Sequence, residues 1–252
     1  MKESLFPTQN GLITQKFGEN ADFYFQRFGI KGGHNGIDIV EGHGTPIYSS
    51  QNGTVCRVYD MEHGSVTAGF GVYVLGESDE NGICDVFIYW HTMSNIPVTL
   101  GQKVQMGDVI AYMGDSGQVY TNMVAVPDSE KGIPPYPGTH LHWGKFQVKM
   151  TNTINDVDGG KIVLTKNDGT AYQDELGNYY EWLNFENGMH GCVDPLLAPI
   201  IYYNQFIARK AAQISEQAAN IIEKAPEEEV SKEQKITLLQ KIINFLFGFL
   251  KK

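Results

Sequence analysis

Two runs of β-branched and aromatic residues, FGVYVLGES (Phe70–Ser78) and ICDVFIYWH (Ile83–His91), stand on either side of Asp79-Glu80-Asn81-Gly82. An Asn-Gly pair between apolar runs signals a hairpin, because both residues accept the positive φ that a tight turn demands. The spacing predicts two antiparallel strands. In the second, a period of two puts Ile83, Asp85, Phe87, Tyr89 and His91 on one face. Glycines at 101, 107, 114 and 117 punctuate the following LGQKVQMGDVIAYMGDSG, which predicts short strands in a compact β domain. A chain of 252 residues that is 42% hydrophobic and 12% aromatic can build the core such a domain needs.

The punctuation changes further on. Thr121–Pro137 is rich in proline and turn formers and reads as a long loop, either functional or inserted. Thr151–His190 is polar, with turns at DVDGGK and KNDGT, and reads as an inserted β-hairpin. Its acids do not complete a calcium-loop pattern. After residue 200 the composition turns to Ala, Gln, Glu and Lys, which predicts a helical tail over 201–252 with a charged hinge near 226–235. The expectation is a mainly β domain over 1–200 followed by C-terminal helices. No internal repeat is visible.

The last segment, 236–250, carries an apolar face of Ile236, Leu239, Ile243, Leu246 and Leu250. Lys241 leaves only nine uninterrupted residues, Ile242–Leu250, against the ~20 that a span requires. It is expected to lie against a membrane surface or a partner without crossing a bilayer, with self-packing as the alternative.

A net charge of −10 argues against a nucleic-acid binder, which would usually show a basic face. Three cysteines, Cys56, Cys84 and Cys192, form neither a disulfide framework nor a metal knuckle, and read as small buried hydrophobes. The first residues lack a charged leader followed by an apolar run, so synthesis without a recognisable secretory signal is expected.

The chemistry concentrates in the histidines. In PGTHLHWGKF (Pro137–Phe146), His140 and His142 alternate on a predicted strand and therefore share a face. Upstream, KGGHNGIDIV sets His34, Gly36 and Asp38 on one side of an extended segment, and Gly36 leaves room for an ion. Neutral imidazole and carboxylate are both good zinc ligands, and three of them with one open position is the catalytic arrangement. His34, Asp38 and one histidine of the H-x-H complete such a set, with His91 as a further candidate. His43, His63 and His190 read as turn residues away from it, and Trp143 as packing beside the strand.

The order H-x-x-x-D, then YWH, then VQMGDVIAYMGDSG, then GTHLHW resembles the lysostaphin-type zinc endopeptidases that cut peptidoglycan peptides. GLITQKFG, GTPIYSSQNGTV and VDPLL (Val193–Leu197) are similar to further stretches of that family. The resemblance implies an antiparallel β-sheet domain with one zinc ion at the floor of a groove. It implies His34, Asp38 and His142 as zinc ligands, and His91 and His140 as catalytic histidines that do not bind the metal. The stretches 121–137 and 151–190 depart from the family pattern as insertions.

The implied function is zinc-dependent hydrolysis of stem or cross-bridge peptides at the bacterial cell wall. Without a leader, release as a phage lysin or carriage on a virion fits. The competing reading is a non-catalytic wall-binding or hydrolase-regulating module on the same scaffold; the occupied histidine positions favour the enzyme. A biotinyl- or lipoyl-type carrier, suggested by VQMGDVIAYMG, lacks a lysine in its turn, Gly114–Gln118.

Overall fold

The computed structural model describes residues 2–153 and 163–224, which fall in two compact units, 1–200 and 201–252. The first unit contains β1 (Ser4–Leu5), β2 (Leu12–Gln15), α1 (Ala21–Phe28), β3 (Ile37–Val40), β4 (Pro46–Tyr48), β5 (Gly53–Tyr59) and β6 (Phe70–Gly76). It continues through β7 (Ile83–Thr92), β8 (Lys103–Val104), β9 (Val109–Tyr112), β10 (Tyr120–Thr121), β11 (Val124–Ala125), β12 (Leu141–Thr151) and β13 (Tyr179–Trp182). The second unit contains α2 (Tyr203–Lys224). The fold is mainly β and antiparallel. No helix of the described residues is long and apolar enough to cross a membrane. The hinge at 226–235 and the apolar segment 236–250 lie outside the described residues.

One sheet organises the first unit, in the order β2-β3-β12-β7-β6-β5-β8, with β13 added to β12. The β6–β7 hairpin closes as the sequence predicts. Gly82 takes φ 75°, and the Asp79 carboxylate accepts from the backbone N–H groups of Asn81 and Ile83 at 2.8 and 2.9 Å.

Both faces of this sheet are buried, which explains why its strands read as nearly continuous apolar runs rather than clean alternations. On one face Phe87 and Tyr89 pack with Val72, Ile39 and Trp143, together with Ile47 and Ile110 from a β4–β9 ribbon. Trp143 stacks on Phe87 with centroids 5.5 Å apart. The opposite face, with Val86, Ile88 and Phe146, packs against Leu164, Tyr172, Met189 and Cys192.

That second layer corrects the reading of 151–190 as a polar hairpin. KNDGT does close a turn, with the Lys166 N–H donating to Thr170 O at 2.7 Å. The segment's strand β13, however, pairs with β12 of the main sheet. Among its described residues Leu164, Tyr172, Tyr180 and Met189 are buried, and average polarity hid them. The 121–137 stretch likewise holds structure: β10 and β11 form a small hairpin through Asn122 and Met123, both at positive φ.

The Phe87–Trp143 stack anchors one face, so Phe87→Ala should cost about 3–5 kcal/mol of stability in urea denaturation. A loss under about 1 kcal/mol would show that this face is not the core.

Candidate metal centre and active site

Backbone pairing assembles the site. Asp38 on β3 lies directly across from His142 on β12, and Gln15 on β2 pairs with Asp38 from the other side. His34 precedes β3 and is held at both ends of its peptide. Its N–H donates to Glu19 O at 2.9 Å, and its carbonyl accepts from the Gly18 N–H at 2.8 Å. Gly33 makes this approach feasible: at φ 94°, a Cβ there would sit 2.4 Å from Gly18 O.

Three donor atoms converge as a result. His34 Nε2 lies 2.8 Å from His142 Nδ1 and 3.1 Å from Asp38 Oδ1, and His142 Nδ1 lies 3.3 Å from the same oxygen. The His34 side chain is 1% exposed and that of Asp38 13%. Asp38 Oδ1 has no hydrogen-bond partner although it is buried. These three residues form the one group among the described residues that could hold a metal ion.

The expectation that Gly36 leaves space for an ion is corrected. A Cβ at position 36 would lie 2.6 Å from both Cε1 and Nε2 of His142. The missing side chain makes room for the His142 ring, and the donor atoms face away from it.

The shared face predicted for His91 is also corrected. The β6–β7 register slips between Phe70 and Gly71, so that Trp90 faces Gly71 and Thr92 faces Phe70. His91 is the extra residue of this bulge, at φ 62°. It therefore leaves the Phe87–Tyr89 face and turns its ring toward His140, with centroids 4.6 Å apart, and toward His142 at 6.2 Å. Trp90, which carried no role in the sequence reading, stacks on the His142 ring at 4.9 Å and 17°.

Backbone carbonyls orient the two further histidines. His91 Nδ1 lies 2.8 Å from Ser116 O, and His140 Nδ1 lies 2.7 Å from Gly138 O. A carbonyl only accepts, so each Nδ1 carries the proton and each Nε2 is left as a base. His140 Nε2 is 3.7 Å from Asp38 Oδ1.

Electrostatics set the protonation states. Burial raises the Asp38 pKa, but His140, His34 and His142 together outweigh burial and hold the carboxyl well below its usual range. Burial, reinforced by its imidazole neighbours, keeps His91 neutral well below the ordinary histidine range. Burial likewise pushes His142 down to about 4, against the opposing pull of Asp38. Ionised carboxylate and neutral imidazole are the forms that bind a divalent cation.

Asp38, His91, His140 and His142 open onto one cavity of about 910 Å³. Its aromatic side comes from α1, where the Tyr24 ring lies 5.0 Å from that of His34. The Tyr24 hydroxyl donates to Gln15 Oε1 at 3.2 Å, and Gln15 Nε2 is buried without a partner. Gln15 belongs to the GLITQKFG stretch noted in the sequence, whereas Tyr24 carried no sequence signal beyond its proximity to the H-x-x-x-D stretch.

The other histidines divide. His190 lines the same cavity, contrary to expectation, because residues 163–192 fold across the sheet beside it. His43 is not in open solvent: it stacks on Tyr136 at 4.1 Å and approaches Asp115 at 3.8 Å. His63 sits in an exposed turn with Asp60, as expected.

No curated protein matches the chain. Among solved structures it is similar to a zinc containing peptidase from Vibrio cholerae, at 25% identity and a TM-score of 0.38, over 56% of this chain and 35% of that one. The chain thus spans about a third of that peptidase. It is also similar to the catalytic domain of lysostaphin from Staphylococcus simulans, at 19% identity and a TM-score of 0.37, over 66% of this chain and 90% of that one. A third is the catalytic domain of the prophage-encoded M23 protein EnpA from Enterococcus faecalis, at 23% identity and a TM-score of 0.37, over 57% and 85%. Residues 32–155 match Peptidase family M23, a span that contains His34, Asp38, His91, His140 and His142. Residues 32–155 are thus similar to Peptidase family M23, and that span holds the motifs that resemble the lysostaphin-type peptidases.

Proposed function

We propose that the protein is a zinc-dependent endopeptidase that hydrolyses peptide bonds in bacterial cell-wall peptidoglycan, in stem or cross-bridge peptides. The observation that carries this reading is the convergence of His34, Asp38 and His142 donor atoms beside two more imidazoles in one cavity. The donor set suits zinc. Ligand bonds of about 2.0–2.1 Å in a tetrahedron place donors roughly 3.3 Å apart, close to the 2.8–3.3 Å spacings of this site. A buried carboxylate oxygen without a hydrogen bond also suits an ion-binding role. One such ion per chain is expected.

Zinc in such a site lowers the pKa of water to about 7 and polarises a scissile carbonyl. The chain's own residues supply the rest. His91 and His140 present Nε2 as base, their tautomers fixed by Ser116 O and Gly138 O. Rings only 4.6 Å apart resist carrying two charges at once, so one imidazole takes the proton while the other stays neutral. The protonated ring then hydrogen-bonds the developing oxyanion or returns its proton to the leaving amine. Trp90 stacks on His142 and limits rotation of that ring. Action at the bacterial wall belongs to the same proposal, as does release from a phage-infected cell or carriage on a virion.

His142→Ala should lose stoichiometric zinc in elemental analysis while keeping its circular dichroism spectrum. Full retention of zinc would sink the ligand assignment. His91→Ala and His140→Ala should keep zinc and lose about 10²- to 10⁴-fold in turnover, read as soluble fragments released from purified peptidoglycan. Mass spectrometry of those fragments identifies the bond cut, and a zinc-loaded wild type that releases none would favour the non-catalytic module. Gly36→Ala should behave like a ligand mutant. Its Cβ would meet the His142 ring at 2.6 Å, so calorimetric zinc affinity should fall at least tenfold. Unchanged affinity would show that the ring yields without cost.

A further inference from the structure

The cavity that holds the histidines is lined by a single Lys or Arg residue, Arg27. This is conspicuous in a chain of net charge −10. Arg27 lies in the last turn of α1, and its Nε donates to the Tyr120 hydroxyl at 2.9 Å. Tyr120 is in turn framed by Phe23 and Phe28, each meeting its ring edge-on at 5.2 and 6.3 Å. The guanidinium is thus held across 93 residues of sequence by a neutral phenol. The Arg27 side chain is exposed, and among the described residues no carboxylate makes an ion pair with it.

A fork fixed at Nε is prepared for a planar anion. The cavity's one carboxylate, Asp38, is engaged by the three histidines. We propose that Arg27, held by Tyr120, is a subsite that binds a carboxylate of the substrate. This inference rests on the peptidase reading for the nature of the ligand: a peptide supplies carboxylates, at its C-terminus or on its side chains.

The subsite's distance from the chemistry follows from the helix. Tyr24 precedes Arg27 by three residues on the same α1 face, about 5–6 Å away at Cβ, and its ring lies 5.0 Å from His34. At about 3.3 Å per residue of extended chain, the carboxylate belongs within roughly three or four residues of the scissile bond. Tyr120 sits where the 121–137 insertion begins, so the insertion helps to build the subsite. Arg27 here determines specificity and takes no part in proton transfer.

The test uses the full, zinc-loaded chain and muropeptides prepared in two forms, native and with carboxylates converted to carboxamides by carbodiimide and ammonia. Binding is read by calorimetry and cleavage as kcat/KM. Wild type should favour the native form by about 10- to 100-fold, mostly in Kd and KM. Arg27→Gln should bind and cleave both forms alike, at the wild-type level for the amidated form. Tyr120→Phe should fall between the two, because the fork is kept but its anchor is lost. Equal binding of the two forms by wild type would overturn the subsite while leaving the peptidase reading intact. So would an Arg27→Gln variant that retains the preference. Discrimination in binding without any cleavage would leave the subsite standing and remove the peptidase reading.

Discussion

The site depends on one cross-strand pairing, Asp38 of β3 against His142 of β12. A slip of one residue in that register would send His142 to the far face, where Leu141 and Trp143 now pack. The apolar neighbours prevent the slip. Ile37, Ile39, Leu141 and Trp143 are fully buried on the core face, so any alternative register exposes several of them. Packing on one face of the strand pair therefore fixes donor geometry on the other. The charged centre needs few specific contacts of its own because the hydrophobic core does its positioning.

The histidines of the H-x-H and H-x-x-x-D motifs were legible in the sequence, because their spacing follows the strand period or comes close to it. The hairpin of β6 and β7 was legible too, from Asn81-Gly82 and the flanking apolar runs. His91 was identifiable as a candidate but not as a geometry. A bulge adds one residue to a strand without a composition signal, and it moved His91 to the face opposite the predicted one. Gly36 shows the converse: the glycine was visible, but what fills its space depends on β12, more than a hundred residues away.

Residues 163–192 escaped for a different reason. A layer that covers one sheet face needs only a few apolar side chains. Leu164, Tyr172, Met189 and Cys192 are spread among turns that dominate the local average. Periodicity detects regular elements, whereas this layer is built from isolated anchors. Trp90 and Tyr24 were hidden likewise, because ring stacking on His142 and His34 is a tertiary relation.

The aim of the His91 ring is set by a peptide carbonyl, that of Ser116. A main-chain group cannot be deleted by exchanging a side chain, so an alanine scan would register His91 itself and stay silent about what points it. The carbonyl's position comes from two glycines in close contact: a Cβ on Gly117 would lie 2.3 Å from Gly69 N. Information about histidine orientation is thus stored in positions that have no functional group at all. A redesign that kept every polar residue of the cavity and replaced these glycines would preserve the site's chemical inventory and lose its alignment.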